Sequence, residues 1–211
     1  MREPVRVYKM GPMSRMSAPL TCRPTTAADL PALSTLAHAA FGPDEGPEIA
    51  ALLHGLLGHP IVAGGHPQAL SLAAADPGGR LCGHVLFTPV ALAPAPTPAV
   101  PAAILAPLAV DPALQRQGLG QRLAREGLAQ LRDAGTALVF VLGDPGYYTR
   151  LGFAPAARWG LQPEHAIPPA YGDAWMVQSL QPGALERLAA DGVTRRVVCT
   201  GMLGEARYWG P

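Results

Sequence analysis

Between residues 102 and 142 the chain carries four signals in unbroken succession: an apolar run, a glycine-bearing loop, an amphipathic helical pattern and a second apolar run. Ile104–Val110 and Leu138–Leu142 read as strands, the second as a continuous β-rich stretch of the kind buried on both faces. Two strands joined through one intervening helix pair in parallel, by a right-handed crossover. The helical segment, Leu119–Ala134, is tested by its wheel at about 100° per residue. Leu119, Gly120, Leu123, Ala124, Gly127, Leu128, Leu131 and Ala134 fall in one half; Arg122, Arg125, Glu126, Arg132 and Asp133 take the other. One face is built to lie on a sheet. Gly120 and Gly127 sit within that stripe, each costing roughly 1 kcal/mol against alanine, a cost that close helix–sheet approach explains. Gly135 stands where a C′ glycine ends a helix.

The loop between strand and helix reads Asp111-Pro-Ala-Leu-Gln-Arg-Gln-Gly-Leu-Gly, with Gln115, Gly118 and Gly120 spaced Gln-x-x-Gly-x-Gly. A glycine loop opening onto a helix leaves backbone N–H groups unpaired at the positive end of the macrodipole, which makes an anion site. No Lys-Ser or Lys-Thr pair follows the last glycine, so it is not a Walker loop. Gln115 stands where a dinucleotide fingerprint needs its first glycine.

The segment resembles the acetyl-CoA loop of the GNAT superfamily of N-acetyltransferases. Leu108, Val110 and Pro112 match the strand end, and Gln115, Gly118 and Gly120 match the loop. A second segment, Tyr147-Tyr148-Thr149-Arg150-Leu151-Gly152-Phe153, resembles the family stretch in which an aromatic-Tyr pair precedes Leu-Gly-Phe. The Gly-Asp-Pro-Tyr-Tyr variant is similar to a bacterial subgroup of N-acetyltransferases. The resemblance implies an α/β (α+β) fold: a mixed, mostly antiparallel sheet of six to seven strands, a central parallel strand–helix–strand unit, and helices on both faces. It implies acetyl-CoA as co-substrate and direct transfer of the acetyl group to a primary amine. The diphosphate would bind the N–H groups of about Arg116, Gln117, Gly118, Leu119, Gly120 and Gln121, with Gln115 at the loop entrance. Backbone of Leu108, Ala109 and Val110 would meet the pantetheine arm, with a strand-end N–H polarising the thioester carbonyl. Tyr148 would protonate the departing thiolate. The alternative is a non-catalytic acyl-CoA-binding or interaction domain of the same fold.

The amine must lose a proton before it attacks, and several carboxylates are candidates to take it. Asp44, Glu45 and Glu48 either line an acceptor cleft or serve as dipole-favoured residues at a helix start. Asp111 either acts as base or forms a turn before Pro112. Arg116 and Arg122 are candidates for phosphate, Arg122 equally a surface charge. Tyr171 and Trp175 either wall the acceptor site or pack in the core.

The rest of the chain supports one domain. Leu20–Thr25 reads as a first strand ended by Pro24, and Thr26-x-x-Asp29 has capping-box spacing before a helix reaching Phe41. Gly42–Pro47 reads as a loop with Pro47 at the N1 position of a second helix, whose apolar residues Ile49, Leu52, Leu53, Leu56 and Leu57 share a face. Ala69–Ala75 and Leu81–Thr88 form a hairpin around Asp76-Pro-Gly-Gly. Pro94–Pro101 cannot supply ladder donors and reads as a stiff exposed loop. Pro107 in the fourth strand predicts a locally splayed, edge-like position. Asp144 and Pro145 predict the N-cap and N1 of a short helix. Strands follow from Phe153, over Trp175–Leu180 and over Thr194–Cys199, with a short helix at Ala184–Ala190. We expect residues 1–17 to be an N-terminal extension, 18–181 the acetyltransferase domain, and 182–211 a helix and strand appendage on the same domain.

A formal net charge of +1 points to no nucleic-acid or membrane partner. Proline, glycine or charge interrupts every apolar run well short of the ~18 residues a membrane helix needs. Three widely spaced cysteines, Cys22, Cys82 and Cys199, suggest no disulfide framework and favour the cytoplasm. His54, His59 and His66 have no ligand spacing, so no metal is expected. The partners expected are a small-molecule or peptide amine, with the chain a monomer or homodimer.

Overall fold

The computed structural model describes residues 20–57 and 69–209; the expected extension at 1–17, and His59 and His66, lie outside them. Strand β1 (Thr21–Pro24) leads through a short 3-10 turn into α1 (Leu30–Leu57). The Asp29 carboxylate accepts the Thr26 N–H at 2.7 Å and forms a two-pronged pair with Arg23 at 2.7 and 2.9 Å, fixing the helix entry. α1 is two helical segments meeting at Gly42, whose φ of 78° and ψ of −172° are open to glycine. The expected six-residue loop therefore shrinks to one residue. Pro43, not Pro47, opens the second segment, and Pro47 lies within it. Tight packing is the cause: a Cβ on Gly46 would stand 2.8 Å from His38 Cα, so the two segments fold closely on each other.

The hairpin β2 (Leu70–Ala75) and β3 (Leu81–Ala93) turns where Asp76 accepts the Gly78 and Arg80 N–H groups, both at 3.0 Å. β3 runs past the expected Thr88 because a distant segment, β9 (Arg195–Cys199), pairs with Val90–Ala93 where β2 has ended. The loop at 94–101 carries no regular structure, as expected of its prolines. β4 (Ala102–Val110), α2 (Leu119–Asp133) and β5 (Leu138–Leu142) form the parallel crossover. Beyond it come α3 (Pro145–Tyr148), β6 (Ala154–Pro155), β7 (Leu161–Gln162), β8 (Trp175–Ser179) and α4 (Ala184–Ala189). The sheet order is β1-β2-β3-β4-β5-β8-β6, with β9 joining β3 to β7. Seven strands along that path match the expected six to seven. The two-residue β7, too short for a periodic signal, and β9 bring the described sheet to nine.

Each face of the sheet carries a core. α1 covers one, with Leu33, Leu52 and Leu53 against Leu86, Ile104 and Phe140; α2 covers the other, with Leu119, Leu123 and Leu128 against Val85, Phe87 and Val139. The predicted stripe of α2 is buried except for Ala134, which is exposed at the C-cap. Gly135 and Thr136 donate to the carbonyls of Arg132 and Leu131, closing a Schellman motif. Gly127 is there because of Phe87: a Cβ would lie 2.2 Å from its ring, which is 1% exposed. Gly127→Ala should therefore destabilise the protein by about 1–2 kcal/mol, overpacking outweighing the gain in helix propensity. Urea unfolding checks this, and an unchanged or raised midpoint would refute the close-approach explanation.

Candidate functional site

The crossover strands pair only from Ala102↔Leu138 to Ile104↔Phe140, after which β4 leaves β5. A bulge in β4 at Ala106-Pro107, opposite Leu86, marks the parting. It also changes which residues face α2: Ala103 and Leu105 before it, Leu108 and Val110 after it. The splay expected from Pro107 is thus present. On the β3 side Asp111 N–H donates to the Cys82 carbonyl, so Asp111/Cys82 and Ala109/His84 are the hydrogen-bonded pairs of the ladder. Leu108 and Val110, lying between, turn their backbone groups towards the gap. Gln115 Nε2 fills one of them, donating to the Val110 carbonyl at 3.1 Å.

After the strand, Asp111 accepts the Ala113 N–H at 2.9 Å and pairs with Arg80. Those two contacts hold its carboxyl below the usual carboxylate range, the backbone bond contributing more. Asp111 is a turn former, and a poor proton acceptor. The loop then turns through Arg116 (φ 59°) and Gly118 (φ 84°) into α2. A non-glycine residue at such φ is uncommon. The first N–H here with a backbone acceptor is that of Arg122, bonded to Gly118, so those of Arg116 through Gln121 have none among the described residues. All but Gln117 of these residues line a cleft of about 660 Å3 that reaches from the loop to Tyr148.

Nine of the expected site residues line that cleft: Leu108, Val110, Gln115, Arg116, Gly118, Leu119, Gly120, Gln121 and Tyr148. Two do not. Ala109 is 2% exposed on the α1 side, its backbone committed to β3. Gln117 turns its side chain back to donate to the Ala113 carbonyl at 3.0 Å. Arg122 donates to the Leu20 carbonyl and lies outside the cleft, while Arg116 lines it.

Tyr148 is set by α3, whose N-cap Asp144 accepts the Gly146 N–H at 2.9 Å. Its ring meets Phe153 and Tyr147 edge-on, with centroids 5.6 and 5.0 Å away, and a Cβ on Gly143 would lie 2.4 Å from it. Burial raises its pKa above the usual tyrosine range, so the hydroxyl is protonated at neutral pH. Sequence reasoning missed Tyr147, Leu114 and Arg150, which also line the cleft. Tyr147 explains Gly120, because a Cβ there would stand 2.6 Å from its hydroxyl. The signal was present as the first aromatic of the Tyr-Tyr pair. Arg150 offered none beyond its charge.

The sequence model of the acetyltransferase (GNAT) domain family matches residues 21–156, from β1 into the turn after β6. The chain belongs to the GNAT family. Among GNAT relatives it is 44% identical over 114 residues to the uncharacterized N-acetyltransferase YjhQ of Escherichia coli (strain K12), covering 53% of this chain and 61% of that protein. To the uncharacterized N-acetyltransferase YhbS of the same strain it is 42% identical over 93 residues, covering 44% and 54%. The chain thus spans less than two thirds of each. In three dimensions it resembles the crystal structure of Escherichia coli YhbS in complex with CoA, with a TM-score of 0.68, 30% identity, and 88% and 92% of the two chains covered. A GNAT acetyltransferase from Brucella melitensis in complex with acetyl-CoA gives 0.54, 29%, 77% and 89%.

The candidate bases fare differently in this GNAT fold. Asp44, Glu45 and Glu48 are exposed on the second segment of α1, the first two in its opening turn, and none lines the cleft. Trp175 is core: it is 2% exposed, stacks on Phe140 at 5.3 Å and donates to the Leu161 carbonyl. Tyr171 is 55% exposed and lines a separate apolar chamber, beyond Asp144.

Proposed function

We propose that the protein is an N-acetyltransferase that moves the acetyl group of acetyl-CoA to a primary amine by direct attack. The observation that carries this reading is the set of unpaired N–H groups at Arg116 and Gly118 to Gln121, opening on a cleft that reaches Tyr148. A helix N-terminus with a glycine loop suits a diphosphate, each contact contributing about 0.3–1 kcal/mol, and Arg116 and Arg150 add positive charge. The backbone of Leu108 and Val110 in the gap beside β4 pairs with the amides of the pantetheine arm. An N–H of that strand end polarises the thioester carbonyl. The neutral amine attacks that carbon, the C–S bond breaks as the C–N bond forms, Tyr148 passes its proton to sulfur, and the proton shed by the attacking nitrogen restores the phenol. CoA in the YhbS structure and acetyl-CoA in the Brucella melitensis structure support this choice of co-substrate. We also place the protein in the cytoplasm, on its three free cysteines; none of the described helices is long and apolar enough to cross a membrane. Residues 18–181 are proposed as the catalytic domain, with 182–209 packed on it through β9.

Calorimetric titration with CoA tests the reading at its base. One-site binding is expected, weakened about tenfold or more by Gly118→Val, because valine cannot hold a φ of 84° without distorting the donors. Absence of binding, or equal binding by the variant, would remove the assignment.

A further inference from the structure

Beside Tyr148 the cleft has a neighbour. A narrower space of about 220 Å3 shares Leu108 and Tyr148 with it and follows the splay along Ile104–Pro107. That space shares Leu142, Tyr208 and Trp209 with the apolar chamber, whose volume is about 530 Å3. The three therefore lie side by side, with Tyr148 bordering the first two and Tyr208 and Trp209 the last two. Leu142–Pro145 form one wall of the chamber; the rest of it, Ile167, Pro168, Tyr171, Ala174, Tyr208 and Trp209, lies outside the segment the family model matches. Trp209 is a fixed wall: it is 3% exposed, its Nε1 donates to the Leu203 carbonyl at 2.7 Å, and its ring packs 5.5 Å from Trp175. Tyr208 presents a buried hydroxyl with no partner among the described residues.

Charge is scarce there. Among the described residues Asp144 is the only carboxylate lining the chamber, and it already accepts the Gly146 N–H. Glu48 and Glu205 act on Tyr208 through their charge without lining the chamber; Arg207, also off its lining, lies over the Tyr208 ring at 4.9 Å. A polyamine or aminosugar would bury its extra ammonium groups there against too few counter-charges. An amine on an aromatic or aliphatic body would bury apolar surface instead, in a space of ligand size. The same low-polarity wall favours the neutral form of the amine, the form that attacks, which accounts for a site without an unengaged carboxylate base.

Resting on the acetyl-transfer reading above, we infer that the acceptor is a monoamine with an aromatic or alkyl body, seated against Tyr171, Tyr208 and Trp209 with its nitrogen towards Tyr148. Thiol release from acetyl-CoA is measured with phenethylamine, octylamine, spermidine and kanamycin. The first two should exceed the others in kcat/KM by roughly tenfold. Ala174→Phe, which fills the chamber, should raise KM for phenethylamine about as much while CoA affinity by calorimetry stays within about twofold. Tyr171→Ala, at an exposed position that folding does not need, should weaken the same substrate. Preference for spermidine or kanamycin, or indifference to Ala174→Phe, overturns the chamber assignment and leaves acetyl transfer standing. If CoA binds but no amine turns over, it is the transfer reading that falls. Phenethylamine binding to the CoA-loaded protein then decides: binding lost in Ala174→Phe sustains the chamber, and no binding overturns it.

Discussion

Tyr148→Phe should lower kcat about a hundredfold or more while leaving CoA affinity within about threefold, as removal of a general acid does. The substitution keeps the ring, so the edge-on contacts to Phe153 and Tyr147 and the fit against Gly143 survive. Only the proton is lost. Because burial raises the phenol pKa above the usual tyrosine range, the acid form persists through neutral and mildly alkaline solution, and the high-pH limb of kcat should not reflect this group. Tyr147→Phe is the contrasting variant. Its hydroxyl lies over Gly120 at the loop, so its removal should act on CoA affinity more than on kcat. Stopped-flow thiol release and calorimetry on both variants separate the two roles. A Tyr148→Phe enzyme with kcat within threefold of the parent would take the acid role from this residue.

Stability should fall by about 3 kcal/mol between pH 6.5 and pH 4, and His84 should be responsible. The imidazole is 0% exposed; its Nε2 shares a hydrogen bond with Ser71 Oγ at 2.8 Å, and its Nδ1 has no partner among the described residues. Burial lowers its pKa from 6.5 to about 4, opposed in part by the charge of Asp29. In that interval the unfolded chain binds a proton that the folded chain refuses, so stability is complete above 6.5 and is lost as pH falls towards 4. The carboxylates act elsewhere: Asp29, held low by Arg23, loses its contribution only as pH falls below the ordinary value of 3.8. Urea unfolding from pH 4.5 to 7.5 should show the slope, and His84→Met, of similar volume and without a proton to bind, should flatten it. Equal slopes for the two proteins would show that His84 is not the source.

The parts of this molecule open to reading from sequence are those set by neighbours in the chain. The periodicity of α2 comes from residues three and four apart, so its buried stripe was readable down to Gly127. The loop glycines, the Asp76 turn and the Asp144 cap are local hydrogen-bond chemistry and fell where expected. Most of the cleft follows, because its donors are the start of one helix and the end of the strand before it. Ala109 and Gln117 stand away from the cleft for a reason local spacing does not carry. Which backbone groups of β4 face the gap depends on its register against β3, and the Gln117 side chain had a nearer acceptor in Ala113.

Other features are products of contacts across the chain. The single-residue joint at Gly42 required the close approach of Gly46 to His38, and the length of β3 required β9, more than a hundred residues later. The chamber wall brings Tyr171 together with Tyr208 and Trp209, from segments with no periodic signal of their own. Local order in this protein is written by spacing and turn chemistry, which act over a few residues. The surroundings of the reacting centre arise only when the folded sheet brings remote segments side by side.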